Sequence, residues 1–375
     1  MVDVFKRLAR YLDKLPAGFP PTQDGLELNI LQKLFSEEEA ELALHLVILD
    51  EPVSVIAQKA GLVEDHVANL LEDMVQKGLI SGGYPEGKPP VYSISQFVVG
   101  FYEDQVNRLD PEMAALFEAY APIYFDKGPW KKQPQIRTIP VMEAIPFSPE
   151  VLPYMKVEAI LQSKTDFAVR NCVCRQEKEI LGKGCGKPME TCMMFDSTAR
   201  NTVKTGKGRM ISLEEAQEIL KNAQAAGLVL QPSNSQDPIF LCACCSCCCG
   251  VLSNIKNHPN PGALVANPYF AQYDPASCIT CGACVEICPM AALSMDDNIA
   301  IKFDQTRCIG CGLCVSVCPS ETLKLVHKPA VDQPKIPKNT TQTYLSISKA
   351  RGFGNLFNLI LKLIKNYIQT IKVKW

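Results

Sequence analysis

The hydrophobic and polar positions in the first third of the chain follow the period of amphipathic helices. Ser36 followed by Glu39 forms a capping box, so the pattern predicts a helix that begins at Glu37. A second helix is predicted over residues 64–77, because its apolar residues recur at helical spacing. These apolar residues are Val67, Leu70, Leu71 and Val75. The glycine- and proline-rich stretch 81–90 predicts a hairpin after this helix.

This order of helices and hairpin resembles a winged helix-turn-helix domain, which we place at residues 36–120, after short N-terminal helices in residues 1–35. A DNA-reading domain of this kind would present the helix 64–77 to the nucleic acid. That helix carries one lysine, Lys77, and four carboxylates. The carboxylates belong to Glu64, Asp65, Glu72 and Asp73. Because phosphate contacts need basic side chains, the pattern disfavours DNA binding and favours protein docking or a structural role.

The middle of the chain is divided by its composition. A stretch rich in proline and aromatic residues, 121–153, is predicted to be a linker, and a cysteine-rich domain at residues 154–250 follows it. Within that domain Ser212 is a good N-cap, with Glu215 three residues later and Gly227 as the stop signal. These signals predict a helix, followed by a short strand.

The C-terminal pattern is basic and amphipathic. From Leu323 onward the sequence has ten Lys or Arg residues and one acid, Asp332. A linker is predicted at residues 327–343 and a helix at residues 344–375. The apolar face of the helix consists of Leu356, Leu359, Ile360, Leu363, Ile364, Tyr367 and Ile371. Such a helix indicates contact with a membrane surface through residues 353–375 or docking on a partner, with packing on its own protein as the alternative.

The overall composition bounds the class of protein. A length of 375 residues suggests two or three domains, 47% apolar residues suffice for ordinary cores, and a net charge of −2 excludes a global field that attracts nucleic acid. The first residues lack the apolar segment of a signal peptide, and no apolar window of about 18 residues exists. We therefore expect a cytoplasmic protein with reduced cysteines, whose basic tail would provide any peripheral contact with the inner membrane face.

Cysteine is the residue type that departs from an ordinary composition, with 18 residues. Eight of them form two runs of the pattern C-x2-C-x2-C-x3-C-P. The runs are Cys278, Cys281, Cys284 and Cys288 before Pro289, and Cys308, Cys311, Cys314 and Cys318 before Pro319. Zinc motifs usually pair two CxxC units across a longer gap. Thiolates at the present spacing are instead the ligands that a cubane iron–sulfur cluster requires.

The two runs resemble those of a bacterial-type two-cluster ferredoxin, and we place this domain at residues 268–326. The resemblance implies two low-potential 4Fe–4S clusters, with the fourth cysteine of each run serving the other cluster. One ligand set would then be Cys278, Cys281, Cys284 and Cys318, and the other Cys308, Cys311, Cys314 and Cys288. The runs repeat with a period of 30 residues, so that Ile279 and Ile309 occupy equivalent positions.

The other ten cysteines lie in the middle domain and are predicted metal ligands. Four follow the spacing C-x-C-x10-C-x6-C at Cys172, Cys174, Cys185 and Cys192. Six more crowd into residues 242–249, at Cys242, Cys244, Cys245, Cys247, Cys248 and Cys249. A third 4Fe–4S cluster and a four-cysteine zinc site both fit such ligands, and thiols without metal are a further alternative. The sequence leaves open how the two groups pair.

Taken together, these features predict an α+β protein with four parts: a winged-helix-like N-terminal domain, a cysteine-rich α/β middle region, a small dicluster domain and a C-terminal amphipathic helix. The whole resembles cytosolic iron–sulfur proteins of anaerobic bacteria and archaea. We expect single-electron transfer to or from a partner redox enzyme, in a subunit rather than a stand-alone enzyme, with no catalytic residue assigned. The alternatives are a redox-sensing winged-helix regulator and a reductase whose active site is formed by Cys242–Cys249.

Overall fold

The computed structural model describes residues 3–127, 133–141, 144, 153–296 and 300–352. Helices and strands both contribute, so the predicted α+β class is confirmed at that level.

The N-terminal region combines six helices with a small sheet. Its elements are α1 (Val4–Lys14), α2 (Leu26–Leu34), α3 (Glu37–Ala43), β1 (Glu51–Pro52), α4 (Val53–Ala60), α5 (Glu64–Gln76), β2 (Ile80–Gly83), β3 (Val91–Ile94) and α6 (Pro111–Lys127). The capping box at α3 is present, since the Ser36 hydroxyl accepts from the Glu39 amide and the Glu39 carboxylate accepts from the Ser36 amide. The strands pair antiparallel in the order β1-β3-β2, behind α5.

Aromatic side chains join α6 to the N-terminal helices. The rings of Phe19, Phe97 and Tyr120 pack edge to face, and the Tyr120 hydroxyl donates to the carbonyl of Pro20. Because this packing and that of Tyr124 continue along the helix, α6 extends to Lys127. The linker predicted from residue 121 therefore does not begin there.

The middle region is built on a five-stranded sheet. Its elements are α7 (Val157–Gln162), β4 (Phe167–Asn171), α8 (Val173–Ile180), β5 (Glu190–Phe195), α9 (Asp196–Lys204), β6 (Arg209–Ile211), α10 (Leu213–Ala225), β7 (Val229–Pro232), β8 (Phe240–Cys244) and α11 (Gly250–Lys256). The strand order is β6-β4-β5-β8-β7, and every pair is antiparallel. The middle region is therefore α+β rather than the predicted α/β. Its predicted helix is α10, with the Ser212 cap in place.

Residues 133–141 run along the edge of this sheet instead of forming a free linker. The amide of Arg137 donates to the carbonyl of Pro232, and that of Ile139 to the carbonyl of Leu230. Arg137 is fully buried and donates to the carbonyl of Tyr154 at 2.6 Å. These bonds attach the segment to the cysteine-rich region, because buried backbone groups need partners.

The C-terminal region contains two antiparallel strand pairs around two short helices. Its elements are β9 (Tyr269–Tyr273), α12 (Ala283–Ile287), β10 (Leu293–Asp296), β11 (Ala300–Phe303), α13 (Leu313–Ser316), β12 (Leu323–His327) and α14 (Thr340–Ala350). Strand β9 pairs with β12, and β10 pairs with β11. The two halves have the same order of turn, cysteine loop and short helix.

Helix α14 begins at Thr340, earlier than the predicted start at residue 344. The side chain of Asn339 caps it by accepting from the amide of Gln342, and the Thr343 hydroxyl donates to the carbonyl of Asn234 at 2.6 Å. The first part of the predicted basic helix thus packs on its own protein. The predicted membrane or partner contact at 353–375 lies outside the described residues. Among the helices that the structure describes, none is long and apolar enough to cross a membrane.

Candidate metal centres

The two cysteine runs near the C-terminus fold into equivalent loops. Each loop leads into a short helix, α12 or α13, through a glycine with a left-handed backbone, Gly282 at φ 79° and Gly312 at φ 78°. Glycine is needed at such positions because a side chain is strained there. Each short helix then carries the third cysteine of its run, Cys284 or Cys314.

The loops bring the eight cysteines together as two sets of four. Cys288, from the first run, lines one small cavity together with the three leading cysteines of the second run. Those three are Cys308, Cys311 and Cys314. On the other side, Cys278, Cys281 and Cys318 lie close to Cys284. Burial, and to a smaller extent these neighbouring thiols, raise the pKa of Cys284 to about 11. The structure therefore brings the members of each predicted ligand set close together. That each set binds a cluster stays a prediction.

Backbone amides donate to three of these cysteine sulfurs. The amides of Thr280, Ala292 and Ala271 point at the Sγ atoms of Cys278, Cys288 and Cys308, at 3.4, 3.2 and 3.4 Å. Such N–H groups stabilise thiolates bound to iron and are one means of adjusting a reduction potential.

The thiol of Cys318 has a hydroxyl partner instead. The Thr322 hydroxyl lies 3.3 Å from its Sγ. Although burial raises its pKa, the hydrogen bonds with Thr322 and Ser320 lower the pKa of Cys318 to about 7. A thiol that ionises near neutral pH is a ready metal ligand.

Six of the ten middle cysteines form what we call the inner group. The members are Cys172, Cys174, Cys192, Cys242, Cys244 and Cys249. The register of the sheet places Arg170 opposite Cys192 and Cys192 opposite Cys242, so these side chains share one face. The Sγ atoms of Cys192 and Cys242 are 3.7 Å apart. Cys242 and Cys244 follow the period of a strand and therefore point to the same face.

The rest of the inner group continues from this pair as a series of thiol contacts. The contacts run from Cys242 to Cys244, Cys249, Cys174 and Cys172. Cys172 and Cys249 are the N-cap residues of α8 and α11. The amides at the start of these helices favour negative charge, which suits thiolates. The sheet and two helix ends thus bring six cysteine sulfurs together, three of them on buried residues.

The remaining four cysteines form a separate outer group. Cys185, in the loop after α8, meets Cys245, Cys247 and Cys248 from the turn after β8. Their four Sγ atoms all lie within 4.8 Å of one another. Two of the contacts measure 3.9 Å, between Cys185 and Cys245, and 3.8 Å, between Cys247 and Cys248. Cys247 is exposed to solvent, whereas Cys245 and Cys248 are buried.

Two buried arginines place positive charge beside these thiols. Arg170, beside Cys192, also forms an ion pair of 2.7 Å with Asp104. Arg175 lies between the two groups, with its Nη1 atom 3.8 Å from the Sγ of Cys245 in the outer group. Its positive charge also acts on Cys172 of the inner group.

Three thiols of the middle region ionise more easily than ordinary cysteines, and hydrogen bonds with Cys174 and Cys244 hold the pKa of one of them, Cys249, well below its usual range. Hydrogen bonds shared with Cys192 and Cys244 lower the pKa of Cys242 to about 6, against the effect of burial. Burial raises the pKa of Cys245, but its contacts with Cys247, the Cys248 amide and Arg175 lower that pKa to about 7. Because thiolates are the metal-binding form, each group has at least one thiol that is ready to bind metal near neutral pH, whereas burial and neighbouring thiols raise the pKa of Cys172, Cys174, Cys192, Cys244, Cys247 and Cys248.

One helix connects the inner group to the dicluster loops. Helix α11 starts directly after Cys249, and its seven residues span about 10 Å. At its end, the Arg307 guanidinium donates to the carbonyl of Lys256 at 2.7 Å and to that of Met290 at 2.9 Å. Arg307 immediately precedes Cys308, so this side chain fixes the second cysteine loop to the end of α11.

A cavity larger than the one beside Cys288 lies elsewhere. It has a volume of about 530 Å³ and is enclosed by the N-terminal region, the sheet and α14. Its wall includes Ser95, Gln135, Arg170, Asn234 and Tyr344, and within the described part of the chain it contains no cysteine. This cavity therefore does not provide the substrate pocket at Cys242–Cys249 that the predicted reductase alternative would need.

Sequence reasoning missed the arginines at these sites. Arg175 directly follows Cys174, and Arg307 directly precedes Cys308, so adjacency to a ligand cysteine was an available signal. Arg170 and its partner Asp104 carried no such signal, because 66 residues separate them along the chain.

Comparison with known proteins agrees with the C-terminal geometry. Residues 277–322 match the family model described as a 4Fe–4S dicluster domain. No curated protein and no solved structure matches the chain. The chain therefore contains a ferredoxin-like 4Fe–4S domain, and this match together with the clustered cysteines indicates iron–sulfur electron transfer.

Proposed function

We propose that this protein passes single electrons through two 4Fe–4S clusters, to or from a partner redox enzyme. The observation that carries the proposal is the convergence of two four-cysteine sets within the matched dicluster domain. A 4Fe–4S cluster supplies one-electron redox chemistry when it is bound, and the residues that would hold it are the two predicted sets.

One cysteine loop is open to solvent and the other is covered by protein. This difference suits electron transfer between an outside partner and the protein interior. Cys281 of the first loop is exposed, whereas Cys311, at the equivalent position of the second loop, is buried. The amide of Val141 donates to the carbonyl of Cys311 at 3.0 Å, so the edge segment of the middle region covers the second loop. The first loop is thus open to a partner, and the second faces the interior.

The partner that we propose is a redox protein that docks on the first loop. Residues 274–281 are mostly exposed, and they include Asp274 next to the cysteines. Glu286, on the following helix, is also exposed. A basic rim on the partner would complement these carboxylates and increase the rate of association.

We also propose a further iron–sulfur centre at the inner group. Six clustered thiols, three of them on buried residues, exceed the ligand number of one tetrahedral ion, and polynuclear clusters are the usual partners of many thiolates. Helix α11 and Arg307 give this centre a short protein connection to the second cysteine loop. The sulfur ligands, two helix N-termini and Arg170 would bury and balance its charge.

For the N-terminal region we propose a winged-helix-like domain that docks protein rather than DNA. The exposed face of α5 includes Glu64, Asp65 and Asp73. Leu62 and Val63, just before α5, are 45% and 72% exposed. Exposed apolar side chains beside carboxylates suit a protein surface and repel phosphates.

The decisive experiment is quantification of iron and acid-labile sulfide in the full chain, prepared without oxygen, combined with EPR during a reductive titration. We expect about eight irons from the dicluster domain and twelve or more with the inner centre. Cys278→Ser and Cys308→Ser should each remove one of two one-electron signals. An iron content far below eight, or signals that do not respond reversibly to reduction, would refute electron transfer.

A further inference from the structure

The outer group has a geometry that differs from that of the dicluster cysteines. Its four Sγ atoms lie within 4.8 Å of one another, and it is the only such set of three or more potential ligands in the described residues. In a cubane each cysteine binds a different iron, so the four sulfurs stand far apart. Around one tetrahedral ion with metal–sulfur bonds of about 2.3 Å, the sulfurs are about 3.8 Å apart.

We propose that Cys185, Cys245, Cys247 and Cys248 bind a single thiophilic metal ion, zinc or iron, in a mononuclear tetrahedral site separate from every iron–sulfur cluster. The two sulfur–sulfur contacts of 3.9 and 3.8 Å match the edge of a tetrahedron around one such ion, and all four sulfurs lie within 4.8 Å of one another. The site does not depend on the proposed electron transfer, since it requires only the four thiolates.

The surroundings support a bound ion at this place. Four thiolates and one divalent ion leave a net negative charge, and the Arg175 guanidinium lies 3.8 Å from one of the sulfurs. Arg175 is held in turn by the Thr191 hydroxyl and by the carbonyl of Ala243 at 3.1 Å. A buried arginine is stable only with negative partners, and the thiolates of the two groups are the partners available to it.

The chain connectivity indicates what the ion does. Cys185 belongs to a loop bounded by Gly182 and Gly186, both with left-handed backbones, and it has no helix or strand to fix it. The other three ligands come from the turn that follows β8. An ion shared by both segments would fasten this loop over Arg175 and the inner group, which restricts access of water to the interior thiols.

The test is metal and sulfide analysis of the full chain carrying Cys247→Ser. Because Cys247 is exposed, this change should leave the fold intact, as circular dichroism and the dicluster EPR signals would verify. We expect the loss of one equivalent of zinc or iron and no loss of acid-labile sulfide. Cys242→Ser, in the inner group, is the matched control and should leave this equivalent in place.

Two results would overturn the proposal. Loss of about four irons together with about four sulfides would make the outer group part of a cubane. An unchanged metal content would mean that the four thiols hold no ion. X-ray absorption at the zinc edge of the unmodified protein, expressed with added zinc, is independent of any variant. It should give four sulfur neighbours at about 2.3 Å, and nitrogen or oxygen neighbours would contradict the site.

Discussion

Ile279 and Ile309 occupy equivalent positions in the two cysteine loops, yet Ile279 is 62% exposed and Ile309 only 2%. The second loop is covered by Asn267, whose side-chain amide donates to the carbonyls of Ile309 and Gly310 at 2.9 Å. A sequence repeat thus has two different environments, one facing solvent and one facing the protein.

Truncating the two isoleucines should therefore have unequal effects on stability. Ile309→Ala should lower the free energy of unfolding by about 2–5 kcal/mol, because it leaves a cavity in a packed site. Ile279→Ala should change it by less than about 0.5 kcal/mol, as for other surface positions. Denaturant unfolding of the cluster-loaded protein without oxygen measures both, and equal effects would disprove the asymmetry.

The glycines that begin α12 and α13 offer a second matched pair. A methyl group on Gly312 would collide with the side chain of Ala144, whereas one on Gly282 would meet only the flexible end of Met295, at 3.1 Å. Both glycines have left-handed backbones, so alanine costs about 1–2 kcal/mol at either position. Gly312→Ala should destabilise the protein by about a further 1–3 kcal/mol. Thermal unfolding of the two variants side by side would reveal this difference or its absence.

Arg307 should matter for the connection between the inner group and the dicluster loops. Arg307→Ala removes charge-assisted bonds to the carbonyls of Lys256 and Met290 and should cost about 2–4 kcal/mol. Hydrogen exchange should accelerate in α11 and around residue 290, and not in the distant helix α5. As a control, Arg209→Ala breaks exposed ion pairs with Glu190 and Glu215 and should have little effect. Unchanged exchange in α11 would show that Arg307 does not connect the two parts.

The inner and dicluster cysteines should lose their metal independently. Cys242→Ser removes the thiol that lies 3.7 Å from Cys192, so the iron of the inner centre should be lost or reduced. The dicluster EPR signals should persist, because Cys242 belongs to the inner group and to neither of the predicted dicluster sets. Iron analysis of Cys242→Ser beside Cys308→Ser separates the two populations. Loss of the dicluster signals in Cys242→Ser would instead indicate that the centres form as one unit.

The parts that sequence could predict are those where local spacing determines the structure. The paired cysteine runs, the capping box at Ser36 and the N-cap at Ser212 follow from residues close together in the chain. The five-stranded sheet was largely missed, because β5 and β8 contain the cysteines that were interpreted only as ligands. The division into inner and outer groups depends on the register that sets Cys192 opposite Cys242, and such non-local pairing leaves no signal in the spacing.

Glu103 should make the stability depend on pH. Its carboxylate accepts from the Gly100 amide at 2.8 Å, but burial dominates and raises its pKa to about 8. The folded protein then binds a proton that the unfolded chain releases near its ordinary value, so this contribution to stability is present at low pH and is lost as the pH rises through 8. Between pH 6 and 8 the free energy of unfolding should fall by about 2 kcal/mol. Glu103→Gln should remove that fall, whereas Glu64→Gln, on the exposed face of α5, should retain it. Denaturant unfolding at several pH values within this range tests the prediction, and a parallel pH dependence in Glu103→Gln would exclude Glu103 as its source.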